Sequence, residues 1–244
     1  IAGRHYQSFN VKVLNLAQTP ANDNSVPYRQ AQFFVNRLDI NKEPFISEWG
    51  VNFFFRTPLL GSVTAFFFEL GYEQLPDNYI WEASLKDFDD SYIKFQIIAS
   101  ILNSLFILPG YLLISKLFTK KIANYSLVFS FFNAYFLYNT FFSWPKLFIA
   151  FFVLFCWYLL LERKKYLLIG LISGLSYYAH DLTVLYAGGI GVFLLLSKNI
   201  RSLLVYSLAF AGTILPWYIV SRFVYHQSSL FLYYPFFLNG IPPE

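Results

Sequence analysis

Few side chains in this 244-residue sequence can do chemistry in an apolar setting, and they fall at Asp23, Arg56, Lys146 and the pair His180-Asp181. Asp23 stands just ahead of a stretch that reads as a helix. A carboxylate at a water–membrane boundary can act as a general base toward a hydroxyl nucleophile. Asp before a helix also serves as a plain N-cap. Arg56 and Lys146 border apolar runs, where a cation would stabilise developing negative charge. Lone basic residues at helix ends also snorkel to lipid headgroups. In His180-Asp181 the carboxylate would orient or charge the imidazole. Asp181 is the only acid after residue 95 that lies neither in a basic loop nor at the terminus. Charge at membrane depth is costly and marks a candidate site, although a capped helix turn accounts for the same two residues.

The elements that must position these groups are apolar. The chain is 57% hydrophobic and 22% aromatic but only 13% charged, against about a quarter charged in soluble domains. Eleven of the fourteen acids precede residue 96, and only Glu162, Asp181 and Glu244 follow. The first part therefore reads as water-facing and the second as membrane. Cys156 is the one cysteine, which excludes an intrachain disulfide and a cysteine metal site. The net charge of +4 comes from cations in short loops, a pattern of topology and not of nucleic-acid binding. No tandem repeat or low-complexity tract is present. The sequence starts at Ile1 and holds no methionine, so a fragment lacking its N-terminus is expected; residues 1–10 are polar and unlike a signal peptide.

Six apolar segments are predicted as spans, at 95–115, 122–142, 146–161, 166–179, 183–196 and 202–223. Three of the connecting loops are basic: Lys116, Lys120 and Lys121; then Arg163, Lys164 and Lys165; then Lys198 and Arg201. The alternate turns, Ser143-Trp144-Pro145-Lys146 and His180-Asp181, carry little charge. With basic loops cytoplasmic, residues 1–94, Lys146, His180 and a 224–244 tail or further segment share the other face. Residues 166–196 leave each of two helices only about 22 Å, so the His180-Asp181 turn is expected in a recess. Upstream, helices are predicted from Val26 to Leu38, with Pro27 in the first turn, and from Leu59 to Tyr72, the latter lying in the interface or re-entering. An acidic loop follows to residue 94. Pro109 and Pro216 are candidate kinks, Pro145 suits a first helical turn, and Gly170, Gly174, Gly188, Gly189 and Gly191 are expected as helix-packing surfaces. The fold class is an all-α polytopic membrane protein, with about six transmembrane helices and an N-terminal external loop carrying two short juxtamembrane helices.

The stretch Asp23-Asn24-Ser25-Val26-Pro27-Tyr28-Arg29-Gln30-Ala31 resembles the opening of the first external loop in polyprenyl-phosphate-dependent glycosyltransferases of the C-type membrane superfamily. The protein O-mannosyltransferase and aminoarabinose transferase branch is the nearest. Arg56-Thr57-Pro58-Leu59-Leu60 is similar to that family's second juxtamembrane helix, and Gly170-Leu171-Ile172-Ser173-Gly174-Leu175 to its Gly-rich helix start. Asn24 stands where the family carries a second acid. The resemblance implies an inverting transferase that moves a sugar from a lipid-linked donor to a lipid, glycan or protein acceptor on the non-cytoplasmic face. It implies Asp23 as the catalytic base, with Tyr28, Arg56, Lys146, His180 and Asp181 binding substrate. The implied location is the bacterial inner (plasma) membrane. The family leaves open whether a divalent metal takes part. The alternatives are a transporter or lipid flippase without transfer chemistry, and an inactive scaffold of the same fold.

Overall fold

The computed structural model describes residues 26–37, 58–71, 90–141, 145–162, 165–180, 182–220 and 223. Their secondary structure is helical throughout. Three helices make an N-terminal unit: α1 (Val26–Val35), α2 (Leu59–Leu70) and α3 (Asp90–Ser104). α1 stops three residues short of the predicted Leu38 because Arg37 turns left-handed at φ 50°, a common way to end a helix. α2 ends at Leu70 and not Tyr72, where the Gly71 N–H bonds back to the Phe67 carbonyl at 3.0 Å. α1 and α2 meet at Gly61, where a Cβ would overlap the Gln30 side chain. α3 starts at Asp90, inside the predicted acidic loop. Ser91, Tyr92 and Phe95 are buried there, the two rings packing with Tyr28, Leu60 and Phe68. Burial of those rings extends the helix into a stretch whose charge alone argues for loop.

The apolar helices follow as α4 (Ile107–Leu117), α5 (Lys120–Phe132), α6 (Ala134–Phe141), α7 (Lys146–Leu161), α8 (Tyr166–Ala179), α9 (Thr183–Leu196) and α10 (Ile200–Ile219). They coincide with the predicted apolar segments to within a few residues, except that 95–115 is divided between α3 and α4 and 122–142 between α5 and α6. Asn133 is extended (φ −80°, ψ 115°), and its Oδ1 accepts from the Tyr135 and Phe136 N–H groups at 2.9 and 3.4 Å. An Asn that caps a new helix ends the old one. A second interruption, at 105–106, precedes Pro109 in the first turn of α4. Proline offers no N–H to the Leu105 carbonyl, which accepts from Leu108 at 3.1 Å instead. Pro145 takes the N-cap of α7, one place before the first turn. Pro216 lies inside α10.

Among the described residues, two helices are long and apolar enough to cross a membrane: Ser91–Leu117, taken as one helix of 27 residues, and Ile200–Ile219. α6 and α7 together would make a third, although their axes diverge by 112°. α8 and α9, at 14 residues each, rise about 21 Å, short of a ~30 Å hydrocarbon core.

Contacts fix the chain directions. Gly110 faces Leu154, and Lys116 Nζ meets Glu162 Oε1 at 2.8 Å, so α4 and α7 run parallel. α8 and α10 are also parallel. A Cβ at Gly170 would overlap the Tyr206 carbonyl, one at Gly174 would strike Thr213, and the Tyr178 hydroxyl donates to the Thr213 carbonyl at 2.7 Å. α9 runs against α10, with the Tyr206 hydroxyl donating to the Ala187 carbonyl at 2.8 Å and Leu203 facing Gly191. Lys116, Glu162, Lys165, Lys198 and Arg201 thus fall at one end of the helices, and Lys146 and His180 at the other. The α9–α10 turn closes with Lys198 left-handed at φ 55° and the Asn199 N–H on the Leu194 carbonyl at 3.1 Å, the Schellman pattern that usually takes glycine.

The glycines divide. Gly170 and Gly174 are close-packing sites, whereas a Cβ at Gly188 or Gly189 meets nothing within 4 Å, which corrects the packing role expected for that second group. Gly170→Ala should therefore cost about 1–3 kcal/mol through overpacking. Gly188→Ala should be neutral or stabilise by up to about 1 kcal/mol through helix propensity. Unfolding of the two variants in mixed micelles checks the contrast.

Candidate functional site

α4, α5 and α7 diverge around a cavity of about 660 Å³, which Phe136 of α6 and Tyr186 of α9 also border. Small residues, Gly110, Ala123 and Ala150, leave the space open, and Ile114, Val153 and Leu154 give it an apolar wall. Lys146 is the one charged residue among the described residues lining it. Five of the described residues that line it bear hydroxyls, Tyr111, Tyr125, Ser126, Ser130 and Tyr186; the Ser130 Oγ donates to the Ser126 carbonyl at 2.8 Å within its own helix.

A contact between helices sets the position of Lys146. α7 opens on Pro145, which supplies no side-chain cap. The N–H of Phe148, in the first turn, instead donates to Oδ1 of Asn103 at 3.1 Å. Asn103 lies on α3, is 1% exposed, and precedes Phe106 by one helical turn. The bond brings the start of α7 to the α3–α4 interruption and puts Lys146 at the end of the cavity that Phe106, Ile107 and Phe136 also line.

The other sequence-predicted residues sit elsewhere or lie outside the described residues. Tyr28 is 5% exposed and packs edge-on against Tyr92 at 5.1 Å and Phe68 at 6.4 Å. Its hydroxyl is hydrogen-bonded to Ser91 Oγ. That burial makes Tyr28 a post for the α1–α2–α3 unit. His180 is half-buried at the end of α8 in an extended conformation (φ −169°, ψ 137°). Its Nδ1 accepts the Leu182 N–H at 3.2 Å, and its carbonyl accepts the Thr183 hydroxyl at 2.8 Å. Asp23, Arg56 and Asp181 are outside the described residues. Tyr28, Lys146 and His180 thus occupy three separate settings. Among the described residues no three His, Cys, Asp or Glu side chains gather as a metal site would require. Cys156 is buried, its Sγ 3.4 Å from Ser173 Oγ.

The sequence did not single out Asn103, Phe106 or Phe136. The signal for Asn103 was available, since it is an amide inside an apolar run; nothing in the sequence distinguishes the two phenylalanines among thirty. Comparison with protein-family models, with curated proteins and with solved structures finds no match.

Asn103→Ala should destabilise the protein by about 1–2 kcal/mol by orphaning a buried helix-start N–H. Asn139→Ala should cost less, because the Asn139 amide bonds only the Tyr135 carbonyl of its own helix, at 2.8 Å; paired unfolding measurements test the ordering. At the α8–α9 turn, His180→Asn preserves an acceptor for the Leu182 N–H. It should stay within about 0.5 kcal/mol of the parent, while His180→Leu should lose about 1 kcal/mol.

Proposed function

We propose that this chain is an integral membrane glycosyltransferase that moves a sugar from a polyprenyl-phosphate donor to an acceptor hydroxyl on the non-cytoplasmic face, inverting the anomeric centre. The supporting observation is the cavity. An apolar volume with one ammonium on its wall is complementary to a lipid phosphate, the chain lying among Ile114, Val153 and Leu154 and the phosphate on Lys146. The gathering of Lys116, Lys165, Lys198 and Arg201 at one end of the helices agrees with a six-span topology in which that end is cytoplasmic. Residues 1–94, Lys146 and His180 then face outward, in the bacterial inner membrane.

In this mechanism Asp23 takes the proton of the acceptor hydroxyl as its oxygen attacks the anomeric carbon. The bond from that carbon to the phosphate oxygen breaks on the opposite side, and its electron pair leaves with the lipid phosphate. Lys146 and Arg56 offset the charge that develops there, and His180 contributes to binding the substrate.

A transporter or flippase is the second possibility, and one observation favours it. Two helices are interrupted beside the cavity, at 105–106 and at Asn133, as broken helices are in transporters.

Transfer from a polyprenyl-phosphate sugar, assayed in nanodiscs, separates the two. Asp23→Asn should lower turnover about 100- to 10,000-fold with little change in donor binding, and Lys146→Ala should weaken binding of dodecyl phosphate about tenfold or more. Normal turnover in Asp23→Asn rejects the assigned base. Lipid translocation without transfer by the parent protein rejects the transferase.

A further inference from the structure

We propose that Phe106 and Phe136 make the cavity selective for phosphates bearing a single apolar chain, and exclude two-chain glycerophospholipids from it. The proposal rests on the lipid-phosphate assignment of the cavity and adds the residues that choose among such lipids. Both rings line the cavity, and their centroids are 5.0 Å apart at an interplanar angle of 37°. They close the space between them. Each is held by a helix interruption. Phe106 directly precedes α4, where Pro109 forces the break, and Phe136 lies in the first turn of α6, its own N–H bonded to Asn133 Oδ1. Phe106 is 7% exposed, so packing encloses most of its ring.

The pair also has a fixed relation to the charge. Asn103, one turn before Phe106, anchors the start of α7 through Phe148, and Lys146 is two residues from that anchor. A phosphate on Lys146 therefore meets the ring pair immediately on entering the apolar region. One chain passes beside the rings along Ile107 and Gly110 toward Ile114. The chains of a glycerophospholipid diverge at the glycerol, directly below the phosphate, and the second would have to occupy the volume the rings fill. In a bilayer such lipids are in large excess. Discrimination by added affinity for the right lipid is then weak, and steric rejection of the wrong one is effective.

The test uses the full chain in phosphatidylcholine nanodiscs with dodecyl phosphate, dioleoyl phosphatidate and inorganic phosphate as probes. The parent protein should bind dodecyl phosphate at least about tenfold more tightly than phosphatidate, and inorganic phosphate more weakly still. Phe106→Ala or Phe136→Ala should reduce the single-chain preference at least about fivefold, mainly by improving phosphatidate binding. Phe132→Ala, at a fully lipid-accessible ring outside the cavity lining, should leave the preference intact. Phe136→Leu, the milder change, should show a smaller shift in the same direction and serves if an alanine variant fails to fold. An unchanged preference in the Phe136 variants overturns the proposal. So does a parent protein that binds both lipids equally through Lys146, and that result leaves the cavity assignment standing. Dodecyl phosphate binding that is indifferent to Lys146→Ala overturns the cavity assignment and this inference together.

Discussion

A helix that begins away from water must find acceptors for its first N–H groups, and α7 cannot supply its own. Proline stands at its N-cap, so the acceptor comes from Asn103, 45 residues upstream on α3. That bond joins the two halves of the helical array at one end, beside the Gly110–Leu154 contact. It sets where α7 starts and hence where Lys146 lies, and it aligns α7 parallel to α4, with Lys116 and Glu162 meeting at the far end. It leaves the wedge between α4, α5 and α7 that becomes the cavity. The Lys116–Glu162 pair, with both side chains partly in solvent, is a weak contact on its own; the buried amide does more to fix the geometry.

The extent of α8 and α9 was legible to the residue, because apolar runs bounded by lysines on one side and by His180-Asp181 on the other admit one division. The interruption at Asn133 was not. An asparagine in an apolar helix has several outcomes: Asn139 bonds back to its own helix, Asn103 reaches across to another, and Asn133 ends one helix and caps the next. Their local sequences do not differ in a way that selects among these; the neighbouring helix does. The glycines show the same limit. Gly170 and Gly174 lie one turn apart and press on α10, while Gly188 and Gly189 are adjacent and therefore point to different sides of α9.

At the candidate site, the sequence chose Lys146 on its type and its place at a helix start, and it does line the cavity. Tyr28 was chosen by a family pattern, yet its surroundings are written more than 60 residues away, in Ser91, Tyr92 and Phe95. The spacing along α1 is the same whether a tyrosine faces a ligand or a packed aromatic cluster. His180 was rightly placed at a turn, but the bond its Nδ1 accepts from the Leu182 N–H is a backbone detail beyond any motif.

The 14-residue lengths of α8 and α9 have a consequence for the surrounding lipid. In a bilayer, an apolar segment several ångströms shorter than the hydrocarbon thickness draws the two leaflets together beside it, at a cost of fractions of a kcal/mol for each ångström of mismatch. The longer 27-residue segment Ser91–Leu117 imposes the opposite demand nearby. Lipid around the molecule would then be thin on the α8–α9 flank and thick, or the helix tilted, on the α3–α4 flank. Such a gradient would order the annulus of lipids by chain length around the molecule.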